Sequence, residues 1–145
     1  MPMIVRWPGR VQPATTTSTP VITMDIHATI LEAANLSADP SNTPDGVSLL
    51  SFLQGHSKLD RESIYFHYPN YAFHKGNRFA SAIRTGDYKL LKFYDDDSIE
   101  LYDLRQDISE SQNLADKLPS KATQLRNDLE AWLKETNASQ PQRAN

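Results

Sequence analysis

Apolar positions along this chain fall into two kinds of pattern, and the change between them divides it near residue 60. Met3, Ile4, Val5 and Trp7 form a short apolar run stopped by Pro8-Gly9, which predicts a buried strand over Met3–Trp7. A strand with no lead-in suggests the rear part of something larger. Arg10 to Pro20 is rich in Thr, Ser and Pro without an apolar period and reads as an extended surface connection. Met24, Ile26, Ile30, Leu31 and Ala34 then recur at helical spacing, with Thr23 as the N-cap and Asp25 facing the positive end of the helix dipole. A helix over about Met24–Ala34 follows. After a loop containing Pro40, Pro44 and Asp45-Gly46, the cluster Leu49, Leu50, Phe52 and Leu53 predicts a short helix ending at Gly55.

Beyond Glu62 the period shortens to that of strands. Ile64–Tyr68, Phe79–Arg84, Tyr88–Tyr94 and Ile99–Leu104 are rich in β-branched and aromatic residues and are separated by turn signals. Thr85-Gly86-Asp87 closes one hairpin and Asp95-Asp96-Asp97-Ser98 another, so an antiparallel meander is expected. From Leu118, the positions Leu118, Ala122, Leu125, Leu129, Trp132 and Leu133 make one stripe of a long helix that should cover the apolar face of the sheet. Arg126, Glu130 and Lys134 lie on its wet side, with Glu130 and Lys134 in the order that favours an i,i+4 pair. The expected organisation is 1–60 as strand and helices, 61–136 as sheet plus helix, and 137–145 as a polar tail.

Composition narrows the possible functions. The chain has 145 residues and a formal net charge of −3, so it presents no basic field for nucleic acid or an anionic membrane. Its apolar runs are far shorter than the ~20 residues a membrane span needs. With no cysteine, it can build neither a disulfide framework, nor a thiolate metal site, nor a cysteine nucleophile. The N-terminal residues lack the segments of an export signal, which leaves localisation open.

Five stretches in order carry a family resemblance: Pro2–Gly9, Met24–Ala34, Ala82–Leu91, Glu100–Leu104 and Asp107–Ala115. Together they resemble the C-terminal third of the type I, formylglycine-dependent sulfatases, over Pro2 to Leu133. The resemblance implies an alkaline-phosphatase-like protein. Its large α/β domain would hold the active site, and a smaller α+β C-terminal subdomain would pack an antiparallel sheet of about four strands against a long terminal helix. Residues 1–60 would then be the last strand and helices of the large domain. The implied activity is hydrolysis of sulfate esters, and the implied cofactors of the full-length family are calcium and formylglycine. The implied partner is an N-terminal sulfatase domain, with sulfated carbohydrate as the ligand class. Relatives of this kind are often periplasmic, secreted or lysosomal.

A formylglycine arises from a Cys/Ser-x-Pro-x-Arg motif, and a hard divalent cation needs several oxygen ligands. Ser139-Gln140-Pro141-Gln142-Arg143 fits that motif literally, but it stands in the polar tail and reads as a coincidence of composition. Ser18-Thr19-Pro20 has Ile22 where Arg is required. Asp95-Asp96-Asp97 reads as a solvated hairpin turn rather than a calcium loop. The expectation is therefore a chain with no catalytic residue and no metal ligand of its own, inactive when alone. The aromatic and cationic stretch His67–Arg78 suits an anionic sugar or aryl sulfate, and His67 and His74 are the candidate substrate contacts. The alternative for the same stretch is interdomain packing, and the alternative function is a non-catalytic module that binds sulfated glycans. Arg84 and Lys89, which flank the first hairpin turn, read as structural through cross-strand charge pairing.

Overall fold

Strands form where β-branched and aromatic residues alternate between turns. The computed structural model describes residues 2–37, 45–69 and 78–141. They form two units, Met1–Arg61 and Glu62–Asn145, each with its own packing.

In the second unit β1 (Ser63–Tyr68), β2 (Ala80–Thr85), β3 (Tyr88–Phe93) and β4 (Ile99–Asp103) make a four-stranded antiparallel sheet in the order β1-β2-β3-β4. Gly86, at φ +58°, supplies the left-handed conformation the first hairpin needs and sets Thr85 directly opposite Tyr88. That register fixes every cross-strand pair back to Ala80 and Phe93. The helix α3 (Pro119–Glu135) packs on β2, β3 and β4. Alternation sends Ile83, Leu90 and Leu101 to the helix side, where they join Ala122, Leu125, Leu129 and Leu133 in one buried core. Trp132 belongs to this packing, stacked on Tyr65 with ring centroids 4.7 Å apart and planes 5° apart. The sheet and covering helix agree with the fold expected from the sequence.

After β4 the chain turns back along the sheet edge. Asp107 organises the turn by accepting from the backbone N–H groups of Ser111 and Gln112, both at 2.8 Å. Asn113 then mimics a strand: its Oδ1 accepts from the Leu101 N–H at 3.0 Å, and the Leu114 N–H donates to the Leu101 carbonyl at 2.7 Å. This return segment covers part of the outer edge of β4.

In the first unit α1 (Met24–Ala33) and α2 (Leu50–Leu53) form as expected. Thr23 is not the cap: it has helical φ and ψ and makes no side-chain cap bond. Asp25, in the first turn, reaches back instead: its Oδ2 accepts from the Ile22 N–H at 2.9 Å and ties the approach to the helix. The anticipated strand over Met3–Trp7 does not form among the described residues, and Ile4 is 92 % exposed. A strand is stable only beside a hydrogen-bonding neighbour, and none of the described residues supplies one.

All three helices end in the same way. Leu36 N–H reaches the Leu31 carbonyl, His56 N–H the Ser51 carbonyl and Ala138 N–H the Leu133 carbonyl. Asn35, Gly55 and Asn137 take positive φ just before those bonds. These are Schellman motifs, with Asn or Gly accepting the left-handed turn that other side chains resist.

Candidate functional site

The end of the sheet that holds His67 is where chemistry-bearing residues converge in the second unit. β1 and β2 pair His67 with Ser81, and the His67 Nδ1 lies 2.7 Å from the Ser81 Oγ. Ser81 is buried, and its Oγ is 2.8 Å from the Tyr94 hydroxyl. The His67 Nε2 lies 2.7 Å from the Ser139 carbonyl oxygen. A carbonyl only accepts, so Nε2 carries a proton, and in the tautomer with its single proton there the ring accepts at Nδ1. In that tautomer Ser81 donates to His67 and Tyr94 donates to Ser81. The four groups form one directed chain that ties the segment after α3 to β1.

The sequence expectation of a substrate contact at His67 meets a ring whose two nitrogens are both engaged within the protein. Contact with a sugar would require one of these bonds to open. His74, the other candidate, lies outside the described residues. Sequence reasoning missed Ser81 and Tyr94, although the pairing of β1 with β2 carries the signal for Ser81 once the register is known.

Charged groups nearby are mutually satisfied. Arg78 donates to Asp95 from Nε at 2.9 Å and from Nη2 at 2.7 Å, with Nη2 also 2.6 Å from Asp96 and the guanidinium 3.8 Å from the Phe93 ring centroid. The Arg78 hydrogen bond holds the Asp95 carboxyl below the usual carboxylate range. Counting back from Thr85 opposite Tyr88 brings Arg78 opposite Asp95, so this pair too is set by register. Glu130 accepts from Lys92 at 2.8 Å and from Arg126 at 2.9 Å, and these two cations hold its carboxyl low. The expected Glu130–Lys134 pair is thus replaced, because the sheet offers Glu130 a nearer cation. Lys92, Tyr94, Lys134, Asn137 and Gln140 line a groove of about 350 Å³ beside the end of α3.

The first unit contains a different cluster. Asp25 is fully enclosed; its carboxylate takes both Arg61 Nη1 at 2.6 Å and Arg61 Nη2 at 2.8 Å, and also the Val47 N–H at 3.1 Å. Burial pushes the carboxyl up, but Arg61 and the two backbone donors outweigh it and hold Asp25 below its ordinary range. Arg61 Nη2 also donates to the Pro20 carbonyl at 3.1 Å. This cluster fastens the approach to α1, the helix itself and the Val47 segment to one another.

Among the described residues no group of three or more His, Cys, Asp or Glu side chains is placed to hold the calcium that the resemblance implies for the full-length family. Asp95, Asp96 and Asp97 turn to Arg78 and Arg126 instead of a common centre. Ser139 is exposed and uses its carbonyl to accept from His67, and Arg143 of its motif lies outside the described residues. No helix among the described residues is long and apolar enough to cross a membrane.

Comparison with known proteins gives a consistent result. The profile of the family described as N-sulphoglucosamine sulphohydrolase, C-terminal, matches residues 1–139. A sulfatase from Formosa agariphila is 34 % identical over 153 aligned positions, covering 95 % of this chain and 28 % of the relative. An N-acetylglucosamine-6-O-sulfatase from Bacteroides thetaiotaomicron is 33 % identical over 121 positions, covering 81 % of this chain and 21 % of its own length. The solved structure of BT4656 in complex with its substrate D-glucosamine-2-N,6-O-disulfate superposes with a TM-score of 0.81 at 28 % identity, covering 95 % of this chain and 29 % of that one. The chain therefore spans under a third of the length of these relatives, and within that span it belongs to the alkaline-phosphatase-like sulfatase family as a sulfatase C-terminal region.

Proposed function

We propose that this chain forms the C-terminal subdomain of an enzyme that hydrolyses sulfate esters of sulfated carbohydrates, and that it has no turnover by itself. The observation that carries this reading is the superposition of 95 % of this chain, four-stranded sheet and covering helix included, with a TM-score of 0.81 on a protein solved with a glucosamine disulfate. Its partner is an N-terminal sulfatase domain that supplies the formylglycine nucleophile and the calcium ligands. The subdomain's contribution is to hold the stretch beginning at His67 on a rigid sheet beside the substrate.

Grafting tests this. The chain is substituted for the equivalent region of the Formosa agariphila sulfatase, and sulfate release is measured beside the intact enzyme and a version without that region. Release by the graft but not by the truncated form is the expected result. Equal inactivity of two folded proteins, graft and truncation, would overturn it. Assayed alone with calcium and an aryl sulfate, the 145-residue chain should match a heat-treated control.

A second reading, a non-catalytic module for sulfated glycans, is favoured by the groove lined by Lys92, Tyr94, Glu130, Lys134, Asn137 and Gln140, where an aromatic ring, two ammonium groups and two amides stand beside one carboxylate already paired with Lys92. It predicts saturable heat on calorimetric titration with a sulfated oligosaccharide, lost in Lys134→Ala. No heat from the folded chain would dismiss it.

A further inference from the structure

The sheet face turned away from α3 carries a cation that the described residues do not compensate. Arg84 in β2 stands directly opposite Lys89 in β3 and opposite Ile64 in β1. The charge pairing expected to explain these two residues is therefore a juxtaposition of like charges, which repel across a ladder. Lys89 is compensated, since both Glu110 carboxylate oxygens accept from its Nζ at 2.7 Å. Arg84 is not. Its Nε is enclosed and is the one buried side-chain nitrogen or oxygen among the described residues that lacks a hydrogen-bond partner. Its guanidinium takes part in none of the ion pairs found among them.

Two acids that reach this face are already committed. Glu110 is held by Lys89, and Glu100 Oε2 accepts from the Tyr102 hydroxyl at 2.9 Å. Tyr102, opposite Lys89 in the same row, stays a neutral phenol: burial and then Glu100 push it up to about 12. A half-buried guanidinium with an unmatched donor bears a desolvation penalty with nothing to offset it. Such a group persists in a folded protein when an anion outside the described residues completes it.

We propose that Arg84 is the docking point for a carboxylate side chain carried on an apolar segment of the sulfatase polypeptide outside these residues. The planar fork of a guanidinium matches the two oxygens of a carboxylate. The surroundings specify the rest of the partner: beside the buried Ile64 and Ala82, Phe66, one row further along β1 on the same face, is 53 % exposed. A segment that brings one acid beside an apolar side chain satisfies the cation and covers the aromatic ring. This rests on the reading above that the chain works within a longer sulfatase, and relatives more than three times its length have polypeptide to supply the acid.

The test uses the 145-residue chain labelled with nitrogen-15, following the Arg84 Nε–H resonance, identified by its loss in Arg84→Met. Sodium acetate is the carboxylate probe, sodium sulfate the tetrahedral anion, and sodium chloride the control at matched ionic strength. The expected result is a saturable shift of that resonance with acetate and none with chloride. Arg84→Met should fold with a thermal midpoint at or above that of the wild type, because it removes an uncompensated charge. Identical shifts with acetate and chloride would reduce the effect to screening and overturn the proposal. Saturation by sulfate at a tenfold lower concentration than acetate would overturn it in favour of a sulfate-binding site. A lower midpoint in Arg84→Met would show that the chain itself already compensates the guanidinium. None of these readouts involves ester hydrolysis, so an inactive graft leaves the proposal standing.

Discussion

Arg61 closes on Asp25 as a two-pronged ion pair, Nη1 to Oδ1 at 2.6 Å and Nη2 to Oδ2 at 2.8 Å, across 36 residues of sequence. The carboxylate has no exposure to water, and it also anchors the Ile22 and Val47 amides. Breaking one side of such a pair leaves a buried charge unpaired, at a cost of about 3–5 kcal/mol. Arg61→Ala is therefore expected to unfold the first unit at much lower urea than the wild type. Trp7 lies in that unit and Trp132 in the other, so single-tryptophan variants report the two separately. A first-unit midpoint unchanged in Arg61→Ala would contradict the role assigned to the pair.

The same carboxylate sets a pH dependence. Asp25 is held below its ordinary range when folded. A depressed acid contributes stability that is fully present above its unfolded value near ~3.9 and is lost as pH falls through its folded value. Trp7 fluorescence should therefore show the first unit losing stability on acidification below about pH 4. Asp25→Asn should flatten that part of the profile from a lower plateau.

Gly46 sits against the start of α1 with no room for a side chain. A Cβ there would collide with the backbone carbonyl carbon and oxygen of Met24, and backbone cannot swing aside as a flexible side chain can. Gly46→Ala should destabilise the first unit by about 1–3 kcal/mol, the range typical of overpacking. Gly55→Ala meets open space, so its penalty comes from its φ of +78° alone and should be the smaller. Equal urea midpoints for the two variants would argue against the close approach.

His67, Ser81 and the Ser139 carbonyl act as one connected unit. His67→Ala and Ser81→Ala should each cost about 1–3 kcal/mol in the second unit, since each leaves a partner unmatched. The double variant should cost less than the two combined. Amide hydrogen exchange around Ser139 should accelerate in His67→Ala. Strict additivity in the cycle would mean that the two side chains do not share a hydrogen bond.

The stripe that predicted α1 remains open to solvent: Ile26 is 41 % and Ile30 60 % exposed. Exposed apolar side chains grouped in this way bind hydrophobic dyes. The chain alone should enhance the fluorescence of such a dye, and Ile30→Glu should reduce the enhancement without shifting the second unit's urea midpoint. A wild-type chain that leaves the dye dark would dismiss this expectation.

Helix and strand periods, turn residues and the order of the motifs were legible because each depends on neighbours within a few residues. Ile83, Leu90 and Leu101 alternate as strand positions must, and Leu125, Leu129 and Leu133 repeat as one helix face must, so sheet and covering helix could be read before any contact was known. Gly55 announced the end of α2 for the same local reason. Long-range choices were decided only in three dimensions. Glu130 could pair with Lys134 along its own helix, yet it takes Lys92 from the sheet, because the sheet brings that cation within 2.8 Å. Asp25 looked like a dipole-favouring residue, and only the fold supplied Arg61 as its counter-ion. Met3–Trp7 has the composition of a strand, but a strand takes its hydrogen bonds from another segment, and composition cannot provide one. Arg84 and Lys89 were recognised as flanking one hairpin turn, while the absence of an acid for Arg84 among the described residues emerged only when the committed partners of Glu100 and Glu110 were in place.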